Sequence, residues 1–225
     1  TPADWMSSQN DVPALNEVAS AQRHEWLVLD GLILQQHPAQ VWKEEKTGKP
    51  RLVMGTTAHA TFDEKLRSTN WTAESIRSFI EASKIGALNL TDEAIKRYEI
   101  TDHRGLISMI SDIRTVCPLL ANARLQPTVP FYVATQGEGE DQLVNVNADV
   151  QSILGRYEPH TVEQRRFMAS MQQLFYYYVS HGTVEQYDAH KRVINIGQDP
   201  LPQEDYSHCN FWISHDIVPR YARVD

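Results

Sequence analysis

Short apolar runs alternate along this chain with segments of helical periodicity, and that alternation predicts an α/β fold with a mostly parallel sheet. Composition supports a folded core: the 225 residues are 41% hydrophobic and 22% charged, too apolar for a disordered chain. Three or four strands beside this many helices make a thin sheet, so the core reads as incomplete.

Residues 1–25 are polar and aperiodic, a loop with short helical turns. Trp26–Leu29 and Leu32–Leu34 flank Asp30-Gly31 and read as two short strands about a tight turn. Lys43–Pro50 is a solvated charge run, and Arg51–Gly55 a buried strand entering a loop. Thr72 caps a helix that puts Ile76, Phe79 and Ile80 on one face. A second short helix starts at Thr91 and ends near Tyr98. From Leu106 to Leu120 the residues Leu106, Ile107, Ile110, Ile113 and Val116 recur at helical spacing. Thr128–Thr135 reads as a buried strand, followed by an acidic loop over Gln136–Gln142 and a short helix over Ala148–Leu154. Thr161 and Gln164 form a capping box for a helix carrying Phe167, Met168, Met171, Leu174, Phe175 and Tyr178 on one stripe, with Gly182 as its stop. Arg192–Ile196 is a last strand and Cys209–Ile217 a terminal helix.

Charge and composition exclude several functions. Lys and Arg number 21 against 29 Asp and Glu, a net charge of −8 with no basic stripe, which argues against nucleic-acid binding. No run reaches the roughly eighteen apolar residues of a membrane span, and no signal peptide opens the sequence. Spacing alone supplies no catalytic set: there is no G-x-S-x-G elbow, P-loop, Gly-rich dinucleotide turn or H-E-x-x-H, and no cofactor is implied. Ser214-His215-Asp216 holds triad residue types, but sequence neighbours cannot take up triad geometry. His24, His37, His160, His181 and His190 sit in polar segments and read as solvated. His59 and His103 lie at a strand end and a helix start, with no carboxylate or thiolate partner evident in the sequence.

Two cysteines, Cys117 and Cys209, are too few for a disulfide scaffold and read as two buried thiols or one long-range disulfide. The sequons Asn70-Trp71-Thr72 and Asn89-Leu90-Thr91 favour a secretory setting. In Phe175–Tyr178, Phe175 and Tyr178 point to the core, whereas Tyr176 and Tyr177 point away, toward a neighbouring helix or a partner.

The order of motifs in the C-terminal half resembles the cholinesterase/carboxylesterase family of α/β-hydrolases. It runs from a long F-x-x-x-M helix ending at Gly182, through a strand and Asp199-Pro200-Leu201, to Cys209-Asn210-Phe211-Trp212. Upstream, Asp30-Gly31, Leu52–Gly55, Cys117-Pro118-Leu119 and Phe131–Val133 match the family's turn, its strand before the catalytic acid, its half-cystine helix and its strand before the catalytic histidine. The resemblance implies that residues 1–225 are the C-terminal portion of one α/β-hydrolase domain, with 1–25 an internal lead-in and the centre of the sheet supplied by a preceding segment. On that reading, 1–225 alone is expected to be insoluble or molten, and a sharp cooperative melt would refute it. It also implies a Cys117–Cys209 disulfide, closing a loop worth about 4–5 kcal/mol by chain entropy.

Carried over residue by residue, the family's acid position falls on Ala60 and its histidine on Val146, or on Asn147 with a one-residue shift. Ala cannot orient an imidazole, and neither Val nor Asn takes a proton from serine at neutral pH. A fold of this family without its triad resembles the cholinesterase-like adhesion molecules. That resemblance implies the extracellular ectodomain of a type II membrane protein, binding a secreted immunoglobulin-domain protein of the amalgam kind. Tyr176, Tyr177, Phe211 and Trp212 are the interface candidates, including for a homodimer through C-terminal helices, although Phe211 and Trp212 suit burial in their own subunit equally well. The alternative function is the C-terminal part of an active carboxylesterase.

Overall fold

The computed structural model describes residues 52–61, 64–126, 128–182, 184, 193–198, 200–203 and 206–218, with a few positions between 31 and 43. The expected hairpin over Trp26–Leu34 and the charged loop over Lys43–Pro50 lie almost wholly outside the described residues. Four strands form one sheet in the order β1-β2-β3-β4: β1 (Met54–Thr57), β2 (Phe131–Ala134), β3 (Val193–Ile196) and β4 (Pro200–Gln203). The first three are parallel, with Met54 opposite Phe131 and Phe131 opposite Val193, and β4 returns antiparallel to β3. An α/β architecture with a parallel three-strand core is therefore present.

β1 starts three residues later than the apolar run Arg51–Gly55 predicts, because its register is fixed by pairing with β2 rather than by apolarity. β4 is absent from the sequence reading, since prolines argue against a strand. Pro200 and Pro202 lie two residues apart and so share one side of the strand, where a missing N–H removes no bond to β3.

Alternation along β2 builds two cores. Phe131 and Val133 face one layer and Tyr132 and Ala134 the other, each buried. The larger layer holds α1 (Glu64–Ser68), α2 (Ala73–Glu81), α3 (Lys84–Ala87), α4 (Thr91–Tyr98), α5 (His103–Ser111), α6 (Cys117–Arg124) and the terminal α9 (Ser207–Ser214). The smaller holds α7 (Ala148–Ile153) and α8 (Val162–His181). Caps set several boundaries as the sequence predicts. Thr72 accepts from Ser75 N–H at the start of α2, and Thr161 and Gln164 cap each other reciprocally at the start of α8. Gly182 ends α8 with φ +71°, which a residue without a Cβ adopts freely.

α5 and α6 are one continuous rod, joined by a π turn over Asp112–Val116. Pro118 explains the turn. A proline ring clashes with the carbonyl one α-turn earlier and offers no N–H, and the wider π turn absorbs both just ahead of it. By length and composition His103–Arg124 could cross a membrane, but 67% of its most apolar window is buried inside the protein, so here it is the core helix. Leu106, Ile107, Ile110, Ile113 and Val116 are all fully buried along it.

Candidate functional site

Ligands of open α/β sheets bind beyond the carboxyl ends of the strands, and the segments that the family resemblance singles out lie there. β1 runs into Ala58–Thr61 and β2 into the long loop 135–147. The chain folds β1 and β2 side by side, so their following loops meet, and His59 joins them. Its Nδ1 accepts the Val144 backbone N–H at 2.9 Å, and its Nε2 lies 3.0 Å from Ser108 Oγ. The Ser108 hydroxyl donates to Arg104 O at 2.8 Å, which leaves its oxygen to accept from His59. These contacts assign the neutral Nε2–H tautomer. Burial alone lowers the imidazole from its usual 6.5 to about 4, so it stays uncharged at neutral pH.

Thr61 pins the β1 loop further, its N–H donating to Ser111 Oγ at 3.1 Å. Ala60 is half-buried in this loop. On the other loop Val146 is 42% exposed, and Asn147 has a left-handed φ of +67°. With the family's V-P-H-G-x-E segment laid on Val144–Asp149, a backbone conformation that favours glycine falls at Asn147. Asp149, at the segment's carboxylate, is buried and accepts from Tyr132 OH at 2.9 Å. Burial, with this carboxylate second, raises the Tyr132 phenol well above its usual range.

Both nitrogens of His59 are already committed to structural bonds. Among the described residues no group of three or more His, Cys, Asp or Glu is placed to hold a metal ion.

Sequence reasoning missed a partner for His103. Its Nε2 lies 3.5 Å from Asp141 Oδ1, and Asp141 Oδ2 accepts from Arg67 Nε at 2.7 Å. These residues are 38 and 74 positions from Asp141 (141 − 103 and 141 − 67), so no local pattern announces them.

At the opposite flank of the rod, Cys117 and Cys209 are joined in a disulfide between α6 and α9. Beside it Trp212 Nε1–H donates to Tyr98 OH at 2.7 Å, and Tyr98 OH donates to the buried Asp112 Oδ2 at 2.7 Å. Burial first, then the Asp112 charge, pushes the Tyr98 and Tyr206 phenols far above their usual range. Trp212 is 0% exposed, which removes it from the interface candidates: its ring closes the core under α4. Phe211 is half-buried, with the Arg97 guanidinium 4.3 Å above its ring. Tyr176 remains exposed at 58%, while Tyr177 is partly covered and stacks on His181 at 4.1 Å. Tyr178 points inward as expected, its OH donating to Leu52 O at 2.8 Å. Both sequon asparagines are exposed, Asn70 ahead of α2 and Asn89 between α3 and α4.

No protein-family model matches the chain. The chain is 62% identical over 229 aligned residues to neurotactin of Drosophila melanogaster, an alignment that covers 100% of this chain and 27% of that protein. From end to end, then, the chain is a relative of neurotactin, matching its C-terminal part.

Proposed function

We propose that this chain is the C-terminal part of a cholinesterase-like α/β-hydrolase domain that has lost catalysis and serves cell adhesion, in the manner of neurotactin. The observation that carries the reading is whole-length identity of 62% to neurotactin, a cholinesterase-like adhesion molecule. The carboxyl edge of the sheet agrees with it. With Ala60 and Val146 at the acid and histidine positions, a serine supplied from elsewhere in the protein has no base to activate it.

On this reading the domain stands on the extracellular face of a type II membrane protein. The buried Cys117–Cys209 disulfide and the exposed sequon residues Asn70 and Asn89 suit an oxidising, glycosylating compartment. The ligand is a secreted immunoglobulin-domain protein of the amalgam kind. A preceding segment of the same protein continues the sheet beyond β1. Any self-association uses the Tyr176 face of α8 rather than Trp212, which has no surface to offer.

Two measurements on the intact protein test this. Cells displaying it should capture a soluble immunoglobulin-domain partner of that kind and should not hydrolyse a chromogenic short-chain ester. Turnover abolished by a serine-directed inhibitor, or no capture by correctly displayed protein, overturns the reading.

A further inference from the structure

α7 is apolar on two sides, and only one of them is covered. Its inward side carries Ala148, Ser152 and Ile153, and α8 packs there, with Gln172 Nε2–H donating to Ser152 O at 2.9 Å. The other side carries Val146, Val150 and Leu154, which are 42%, 46% and 62% exposed. Val150 and Leu154 lie one turn apart on one face of the helix, and Val146 precedes them at the same spacing. A helix that faces water carries charge on its outer side. Between Val146 and Gly155 the single charge is Asp149, which is buried and bonded to Tyr132 OH. Three branched aliphatic side chains in a row make a surface that calls for a cover.

β1 supplies an independent sign beside it. α7 packs against β1, and β1 is an edge of the sheet: among the described residues only β2 pairs with it. The opposite edge, β4, is blunted by Pro200 and Pro202. β1 reads Met-Gly-Thr-Thr, with neither a proline nor a charge, and a bare edge of that kind pairs with whatever strand it meets. From the juxtaposition of this edge with the Val146–Val150–Leu154 row we infer that one segment of the same protein, N-terminal to this chain, covers both, laying a strand along β1 and an apolar face on α7. The inference rests on the reading of the chain as the C-terminal part of a larger domain, and extends it from the sheet to α7. The alignment leaves room for this occupant. It takes up 27% of neurotactin, at its C-terminal part, so most of that protein lies ahead of the matched region. A tethered segment also outcompetes a separate molecule, because its effective concentration is far higher. The row is then interior, and an extracellular ligand docks elsewhere.

Cysteine labelling of the intact protein tests this. Val150→Cys and Leu154→Cys should each react with a maleimide about tenfold more slowly than Gln173→Cys on the exposed face of α8, since a covered site reacts only through local opening. In urea the three should react alike. Hydroxyl-radical footprinting of the unsubstituted protein repeats the comparison, with Leu154 spared while Val179, 57% exposed on α8, is oxidised. Labelling of both α7 variants as fast as Gln173→Cys in dilute protein overturns the inference. So does protection that appears only as protein concentration rises, which marks a second copy, or only when a ligand protein is added. Hydrogen exchange at the β1 amides that do not bond β2 separates the two readings. Fast labelling with slow exchange there leaves the larger domain standing and removes α7 from its interior, whereas fast exchange there as well removes both.

Discussion

Acid should loosen this protein through His59, and the size of the effect follows from the geometry. In the folded chain burial lowers the imidazole from 6.5 to about 4. Between those values the unfolded chain binds a proton that the folded chain refuses, so stability falls as pH drops from about 6.5 and levels off below about 4. That lowering corresponds to about 3 kcal/mol at most. The chosen variant is His59→Gln, whose amide can accept from Val144 N–H and donate to Ser108 without titrating. Urea denaturation of the intact protein between about pH 7.5 and pH 4 should show wild type losing about 3 kcal/mol more than His59→Gln. Near pH 7.5 the two should differ by less than about 1 kcal/mol. Parallel pH profiles for the two proteins would refute the assignment of His59 as a buried neutral strut.

Further expectations concern packing and covalent ties. Replacing Cys117 and Cys209 by serine opens a loop of 92 residues and should cost about 4–5 kcal/mol, read as a lower denaturation midpoint that reductant no longer shifts. At Gly55 an added Cβ would lie 2.3 Å from the Tyr132 ring, which its bond to Asp149 holds in place, so Gly55→Ala should destabilise by about 1–3 kcal/mol in the same assay. Tyr98→Phe removes an oxygen that serves two buried partners, Asp112 and Trp212, and should cost about 2–3 kcal/mol. Trp212 fluorescence reports that change directly, through the loss of its indole hydrogen bond.

Much of the fold is legible because it is local. Capping at Thr72 and Thr161, the stop at Gly182 and the apolar spacing along Leu106–Val116 involve residues within a turn or two of one another, and each appears as the sequence predicts. The site was legible only through the resemblance. Ala60 and Val146 carry no chemistry that could draw attention to them, and only the proposed family reading gives them a role.

The sequence by itself determined the α/β class, the capped starts of α2 and α8 and the kinship of the whole chain with part of neurotactin, since periodicity, caps and identity are properties of the chain order. Only the tertiary structure decided that β4 tolerates two prolines, that Trp212 is core rather than surface, and that His59 and His103 both meet the loop after β2. Each of these depends on partners tens of residues away, and only folding brings them within the few ångströms over which hydrogen bonds and packing act.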